Sequence, residues 1–168
     1  MNTYQLQCAI NYDCNMRNTV CGVYAADEIP QTLHSFTGLV PNTDPKQRPG
    51  KHWIAFFYDN GVLECFDSYG RSPELYSPHL GQFMRSFPTR RVNVKRLQSS
   101  DTTVCGQYCL FYLMCRTRGY SMEEITNMFD NNYHLNDEFV YKFINERFYC
   151  CMSCSMIQCQ ICVCENKH

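Results

Sequence analysis

His52-Trp53-Ile54-Ala55-Phe56-Phe57-Tyr58-Asp59-Asn60-Gly61-Val62-Leu63-Glu64-Cys65-Phe66-Asp67 is the stretch that decides the fold. Two runs rich in aromatic and aliphatic residues flank Asp59-Asn60-Gly61. An Asn-Gly pair is the strongest short hairpin signal, because the favoured two-residue turn needs positive φ at both central positions. With Asn60 and Gly61 as that turn, Asp59 pairs with Val62 and Ile54 comes opposite Asp67. Side chains alternate along a strand, so Ile54 shares a face with His52. His52 and Asp67 are therefore predicted to be diagonal neighbours on one face, within side-chain reach.

Upstream of this hairpin the chain mixes short apolar clusters with turn signals. Val23-Tyr24-Ala25-Ala26 runs into Asp27-Glu28-Ile29-Pro30, Leu39-Val40-Pro41 into Asn42-Thr43-Asp44-Pro45, and Pro49-Gly50 closes the segment. The reading there is an irregular segment with one short strand. Downstream, Ser72-Pro73-Glu74 has the residues of a helix start. That helix is expected to reach about Phe87, with an interruption near Ser77-Pro78. A strand is expected over Arg91 to Leu97, then a polar loop from Gln98 to Thr103 and a buried helix from Cys105 to Arg116, ending near Gly119. Ser121 with Glu124 three residues on has the spacing of a capping box, and Asn136 to Phe148 should form a last amphipathic helix. The fold class predicted is α+β, a central mixed sheet flanked by helices, with Cys105 at a helix N-terminus. Residues 1–149 form the expected domain and 150–168 a cysteine-rich tail.

A chain of 168 residues, 45% hydrophobic and 14% aromatic, can bury one sizeable core. Fifteen basic and sixteen acidic residues nearly cancel, which gives no global case for nucleic acid or an anionic membrane. No apolar run approaches the length of a bilayer span. The first residues lack the basic and apolar regions of a secretory signal, so the expectation is a protein that is not secreted. Thirteen cysteines in a reducing compartment serve as core residues, nucleophile or metal ligands.

A thiol nucleophile needs a base beside it, a group that fixes the base, and a donor for the oxyanion. Cys105 sits where a polar loop becomes an apolar helix, and the positive end of a helix lowers a thiol pKa. Most free cysteines are small core hydrophobes, and most lone histidines are satisfied or exposed, so neither Cys105 nor His52 decides the matter alone. The carboxylate that the hairpin sets beside His52 can hold its tautomer. Gln98 offers a neutral amide donor to a developing anion. Trp53 and Gly106 are the expected substrate contacts, Gly106 because it leaves room for a substrate backbone.

The ordered set His52-Trp53, Phe66-Asp67-Ser68-Tyr69-Gly70, Gln98 and Cys105-Gly106 resembles the adenovirus-type maturation proteases (adenain). It is also similar to their relatives in large DNA transposons and animal DNA viruses, in a clan that includes the proteases of ubiquitin-like proteins. The resemblance covers roughly residues 20–130. It implies Cys105 as nucleophile, His52 as base, Asp67 as orienting acid and Gln98 as oxyanion donor. It further implies virion or capsid precursor polypeptides as substrates, placement in the virion and in the nucleus or cytoplasm of infected cells, and activation by a peptide or DNA. No cofactor is required for the chemistry itself. Gln98 lies seven residues before Cys105, as in the adenovirus group, and Thr102-Thr103-Val104 differs from the pattern of the ubiquitin-like-protein proteases. The cysteine that links the adenovirus enzyme to its activating peptide has no counterpart near Phe87. The alternatives are a protease of ubiquitin-like proteins and an inactive binding module with a metal-binding tail.

Two further features stand apart. Arg85, Arg90, Arg91, Lys95 and Arg96 are the candidate nucleic-acid contact, although such clusters are more often a solvated edge. In the tail, Cys151/Cys154 and Cys159/Cys162 form two C-x-x-C pairs, the ligand spacing of a four-thiolate zinc site. Only four residues separate the pairs and no glycine is available for knuckle turns. A disordered or oxidised tail is therefore favoured over zinc, with palmitoylation or another membrane anchor as a third reading.

Overall fold

The computed structural model describes residues 1–152. Five strands form one mixed sheet in sequence order: β1 (Val20–Tyr24), β2 (Thr37–Pro41), β3 (Ala55–Asp59), β4 (Val62–Phe66) and β5 (Thr89–Val92). The outer pairs, β1 with β2 and β4 with β5, are parallel, and the inner pairs are antiparallel. The β3–β4 register runs from Asp59↔Val62 to Ala55↔Phe66, as the hairpin reading requires. Asn60 and Gly61 both have positive φ, 49° and 80°, which is the turn chemistry of an Asn-Gly pair.

The inner strands read as near-continuous apolar runs because both of their faces are covered. On one face Ala55, Phe57 and Phe66 pack with the helix α3 (Cys105–Arg116) and with Ile144 of α5 (Tyr133–Arg147). The Phe66 and Tyr112 rings stack at 4.4 Å. On the other face Phe56, Leu63 and Cys65 pack on Leu80, Phe83 and Met84 of α2 (Pro78–Arg85). Glu64 projects toward α3, where the Arg116 guanidinium and the Tyr112 hydroxyl donate to it at 2.8 and 2.7 Å. A buried ion of that kind is tolerable only when fully paired.

Several elements depart from the sequence reading. The segment before the hairpin holds the helix α1 (Thr3–Tyr12) and two strands, not one. An Asn2/Gln5 capping box starts α1, and its last turn is followed by the buried Asp13, which accepts from Arg118 and Arg147 at 2.6 and 3.0 Å. Those guanidiniums arrive from residues more than a hundred positions away, so local pattern could not reveal them. The strand expected over Arg91 to Leu97 is the shorter and earlier β5, because residues 93–97 turn back to bond the loop after β4. The Leu97 and Gln98 amides both donate to the Ser68 carbonyl. Ser77 does interrupt the α2 region, capping α2 after a 3₁₀ turn at Pro73–Leu75. The helix α4 (Met122–Asn127) has the expected capping box, and α5 starts three residues early on the Asn132 cap. The chain continues into α6 (Tyr149–Met152), whose Cys151 is fully buried in the main core, while Cys154, Cys159 and Cys162 lie outside the described residues. Among the described residues no helix is long and apolar enough to cross a membrane.

Two glycines separate a turn tip from a packed turn. Gly61 has open space around it, whereas a Cβ on Gly70 (φ 67°) would come within 2.7 Å of the Val94 carbonyl oxygen. Gly61→Ala should lower stability by about 1 kcal/mol through backbone strain alone. Gly70→Ala should lower the chemical-denaturation midpoint markedly further, because backbone must move; equal losses would refute this packing argument.

Candidate active site

The site lies just past the last rung of the β3–β4 ladder, where the two strands leave the sheet. The Thr43 amide donates to the His52 carbonyl and the Ile54 amide to the Pro41 carbonyl, which holds the His52 segment extended beside the end of β2. His52 Nε2 donates to Asp67 Oδ1 at 2.6 Å, with both residues buried. Asp67 takes three more donors: the amides of Tyr69 and Arg71 at 3.1 and 3.0 Å, and the Tyr76 hydroxyl at 2.8 Å. Asn93 brackets its backbone, accepting from the Asp67 amide and donating to its carbonyl. With Nε2 committed to Asp67, Nδ1 is the ring nitrogen left to face Cys105, whose thiol is near enough to raise the imidazole.

Cys105 is the first residue of α3, and no side chain caps that helix. The first amides of a helix have no intrahelical acceptor, so an uncapped N-terminus presents donors and positive potential to the sulfur. Burial pushes the Cys105 thiol up, but the nearby His52 imidazole and the Trp53 backbone N–H outweigh it, and the net shift is downward. Burial likewise opposes charge on His52, yet Asp67 and Cys105 raise it to about 9. Asp67 is held below the usual carboxylate range, its burial overcome by His52, the Tyr69 amide and Tyr76. All three shifts run toward the charged forms, so the arrangement favours a thiolate–imidazolium pair backed by a carboxylate over three neutral groups. By contrast, burial pushes up the thiols of Cys21, Cys65, Cys109 and Cys115.

Gln98 is fully buried between the segments that carry the acid and the thiol. Its Oε1 accepts from the Ser68 hydroxyl at 2.7 Å, and its Nε2 donates to the Thr102 carbonyl at 3.0 Å. The amide is thus bonded to Ser68 and Thr102 rather than to Cys105. Trp53 flanks the thiol through its backbone, and its indole N–H donates to the Met1 carbonyl at 3.1 Å. The room expected beside Gly106 is taken by the Met1 side chain, 3.0 Å from where a Cβ would stand, because α1 packs its first residues back onto α3. A cavity of about 270 Å³ opens at Cys105, walled by Asn2, Asn42, Gly50, Trp53 and Thr103. It shares Thr3, Asn42, Pro49, Gly50 and Trp53 with a second cavity of about 240 Å³ that reaches Asp44 and Lys46. The two cavities are neighbours on either side of these shared residues, and the first of them opens at the sulfur.

Tyr69 and Tyr76 escaped the sequence reading, although their rings stand 4.9 and 5.3 Å from the imidazole. Tyr69 lies inside the Phe66–Gly70 motif but carries no role in that reading, and nothing local marks Tyr76 within a polar turn. The basic cluster is largely occupied elsewhere. Lys95 donates to the Thr126 and Phe129 carbonyls, Arg96 donates to the Gln98 carbonyl and lies over the Tyr133 ring, and Arg85 pairs with Glu74. Arg90 and Arg91 are exposed on β5, Arg90 with one bond to the Phe87 carbonyl.

No family model matches the chain. Its sequence relatives are viral cysteine proteases. A cysteine protease of African swine fever virus is 33% identical over 123 residues, covering 66% of this chain and 43% of the relative. The protease of Bovine adenovirus 7 is 29% identical over 134 residues, covering 63% of this chain and 66% of the relative. A crystal structure of the African swine fever virus protease superposes with a TM-score of 0.50 at 22% identity, covering 85% of this chain and 67% of that one, a likeness of fold. The chain spans 43% of the length of the African swine fever virus relative it matches.

The coupled charges make a pH signature. Alkylation of Cys105 by iodoacetamide, followed by mass spectrometry of its peptide, should start to rise below the ordinary thiol range, because the thiolate persists down to the lowered pKa. Its imidazolium partner persists up to about 9. His52→Ala should move the Cys105 midpoint upward, since burial then acts unopposed by the imidazole. An unchanged profile would refute the pairing.

Proposed function

We propose that the chain is a thiol endopeptidase acting on virion precursor polypeptides. The observation that carries the reading is the buried Asp67–His52 hydrogen bond at 2.6 Å, with Cys105 at a helix N-terminus and near enough to the same ring to raise it. In this reading the Cys105 thiolate attacks the scissile carbonyl, and the His52 imidazolium gives its proton to the leaving amine. A water then hydrolyses the acyl-enzyme with neutral His52 as general base. The uncapped first amides of α3 and the Gln98 amide stabilise the oxyanion. Asp67 keeps the imidazole oriented and favours its charged form. The groove past Trp53 receives the extended substrate. The sequence relatives support the protease class, and the substrates follow from the viral company the chain keeps. Action inside infected cells belongs to the same reading. A DNA activator belongs to the same reading and rests on the exposed Arg90 and Arg91.

The test is cleavage of co-encoded virion precursors by the full chain. Cys105→Ala should abolish cleavage, and Gln98→Ala should lower kcat on the order of 10²-fold, the cost of one oxyanion donor. Asp67→Asn should lower kcat at least as far, because the imidazole loses its oriented, charge-stabilised state. Cleavage of ubiquitin-like fusions with none of the precursors would assign the substrate to the other branch of the clan. Turnover by Cys105→Ala would remove the thiol mechanism.

A further inference from the structure

Gln98 can donate to an oxyanion only if its amide nitrogen, not its oxygen, faces the nucleophile's side of the loop. An amide side chain is nearly symmetric in shape, so its polarity must be set by its neighbours. On the oxygen side stands the Ser68 hydroxyl, which donates to Oε1 at 2.7 Å. On the nitrogen side stands Thr102, three residues before the nucleophile. Its carbonyl and its Oγ1 lie 3.0 and 3.2 Å from Nε2, two acceptors on one residue that can share a single N–H as a three-centre bond and leave the second N–H for the oxyanion.

A hydroxyl can accept there only if its own proton is directed elsewhere. The Thr102 hydroxyl donates to Asp137 Oδ2 at 2.7 Å. Asp137 comes from α5, is 4% exposed, and also accepts from the Ser99 amide at 3.1 Å and the Tyr108 hydroxyl at 2.9 Å. All its partners are donors, which an ionised carboxylate satisfies and an amide cannot. We propose that Thr102 and Asp137 are positioning residues for the oxyanion donor: Asp137 fixes the polarity of the Thr102 hydroxyl, and Thr102 fixes the polarity of the Gln98 amide. This rests on the reading of Cys105 as an acylated nucleophile and Gln98 as its oxyanion donor. Neither residue lines the cavity at Cys105, and both act through Gln98.

The test compares two reactions of one sulfur in the full-length protein. The p-nitrophenyl ester of N-acetylglycine acylates a thiolate through a tetrahedral oxyanion: the C–S bond forms, the C–O bond breaks, and p-nitrophenolate leaves with the electron pair. Iodoacetamide alkylates the same thiolate by displacing iodide, with no oxyanion. Each rate is read at the Cys105 peptide by mass spectrometry. Thr102→Val, nearly isosteric, should slow acylation about ten-fold or more, within the loss expected for a whole donor, while alkylation stays within about two-fold. Thr102→Ser should restore acylation, and Asp137→Asn should slow it as Thr102→Val does. In a Gln98→Ala background Thr102→Val should add nothing, the non-additivity of two residues acting through one group. Acylation by Thr102→Val at the wild-type rate, parallel loss of acylation and alkylation, or full additivity with Gln98→Ala would each overturn the inference. If Gln98→Ala itself acylates at the wild-type rate, the oxyanion assignment falls first, and the positioning role with it.

Discussion

The hydrogen bond between His52 and Asp67 is the contact on which the rest of this molecule depends. It joins two segments that have just left the sheet, and it does so with both partners withdrawn from water. A buried carboxylate without compensation would raise its own pKa and turn neutral. Here the Tyr69 and Arg71 amides, the Tyr76 hydroxyl and the imidazole all donate to it, so the charged form is kept. That fixed negative charge raises the imidazole, and the raised imidazole lowers the thiol. The order of these effects explains why one thiol is shifted toward its thiolate while burial pushes Cys109, one helical turn further along α3, the other way.

The sheet supplies the distances. Because β3 and β4 hold a regular ladder to Ala55↔Phe66, the residues beyond it emerge at a defined separation. Because α3 stacks Tyr112 on Phe66 and sends Arg116 to Glu64, its N-terminus is brought to the same end of the sheet. The buried ion pair at one end of α3 and the thiol at the other are thus parts of one docking. α5 completes the arrangement, since Asn136 and Asp137 take hold of the Leu97–Thr102 loop at its carbonyl, amide and hydroxyl groups.

The N-terminal segment has an unexpected share in the site. Met1 receives the Trp53 indole N–H and fills the space beside Gly106. The groove at the sulfur therefore has a wall contributed by residues 1–3, and a glycine expected to admit substrate instead admits the protein's own chain. The basic residues show the converse. Lys95 and Arg96 carry charge that a sequence invites one to give to a partner, yet their donors are spent on carbonyls of the loop and of the α4 region.

The sequence by itself determined the hairpin, its register and the proximity of His52 to Asp67, because Asn60-Gly61 and the strict alternation of a strand are short-range rules. It also determined the helical start at Cys105, the cap at Ser121 and the break at Ser77-Pro78, all written within four or five residues. The sequence and its resemblance singled out Cys105, and tertiary structure supplied what lowers that thiol and raises its neighbours, since burial and charge come from groups on separate segments. Tertiary structure alone decided the second strand before the hairpin, the β1–β2 pairing and the α1 attachment, which rest on parallel pairing and on the guanidiniums of Arg118 and Arg147. It alone gave Tyr76, Asn93, Thr102 and Asp137 their partners. Hydrogen bonds between segments far apart in the chain leave no periodicity in it, and only the folded geometry brings their donors and acceptors within 3 Å or so of one another.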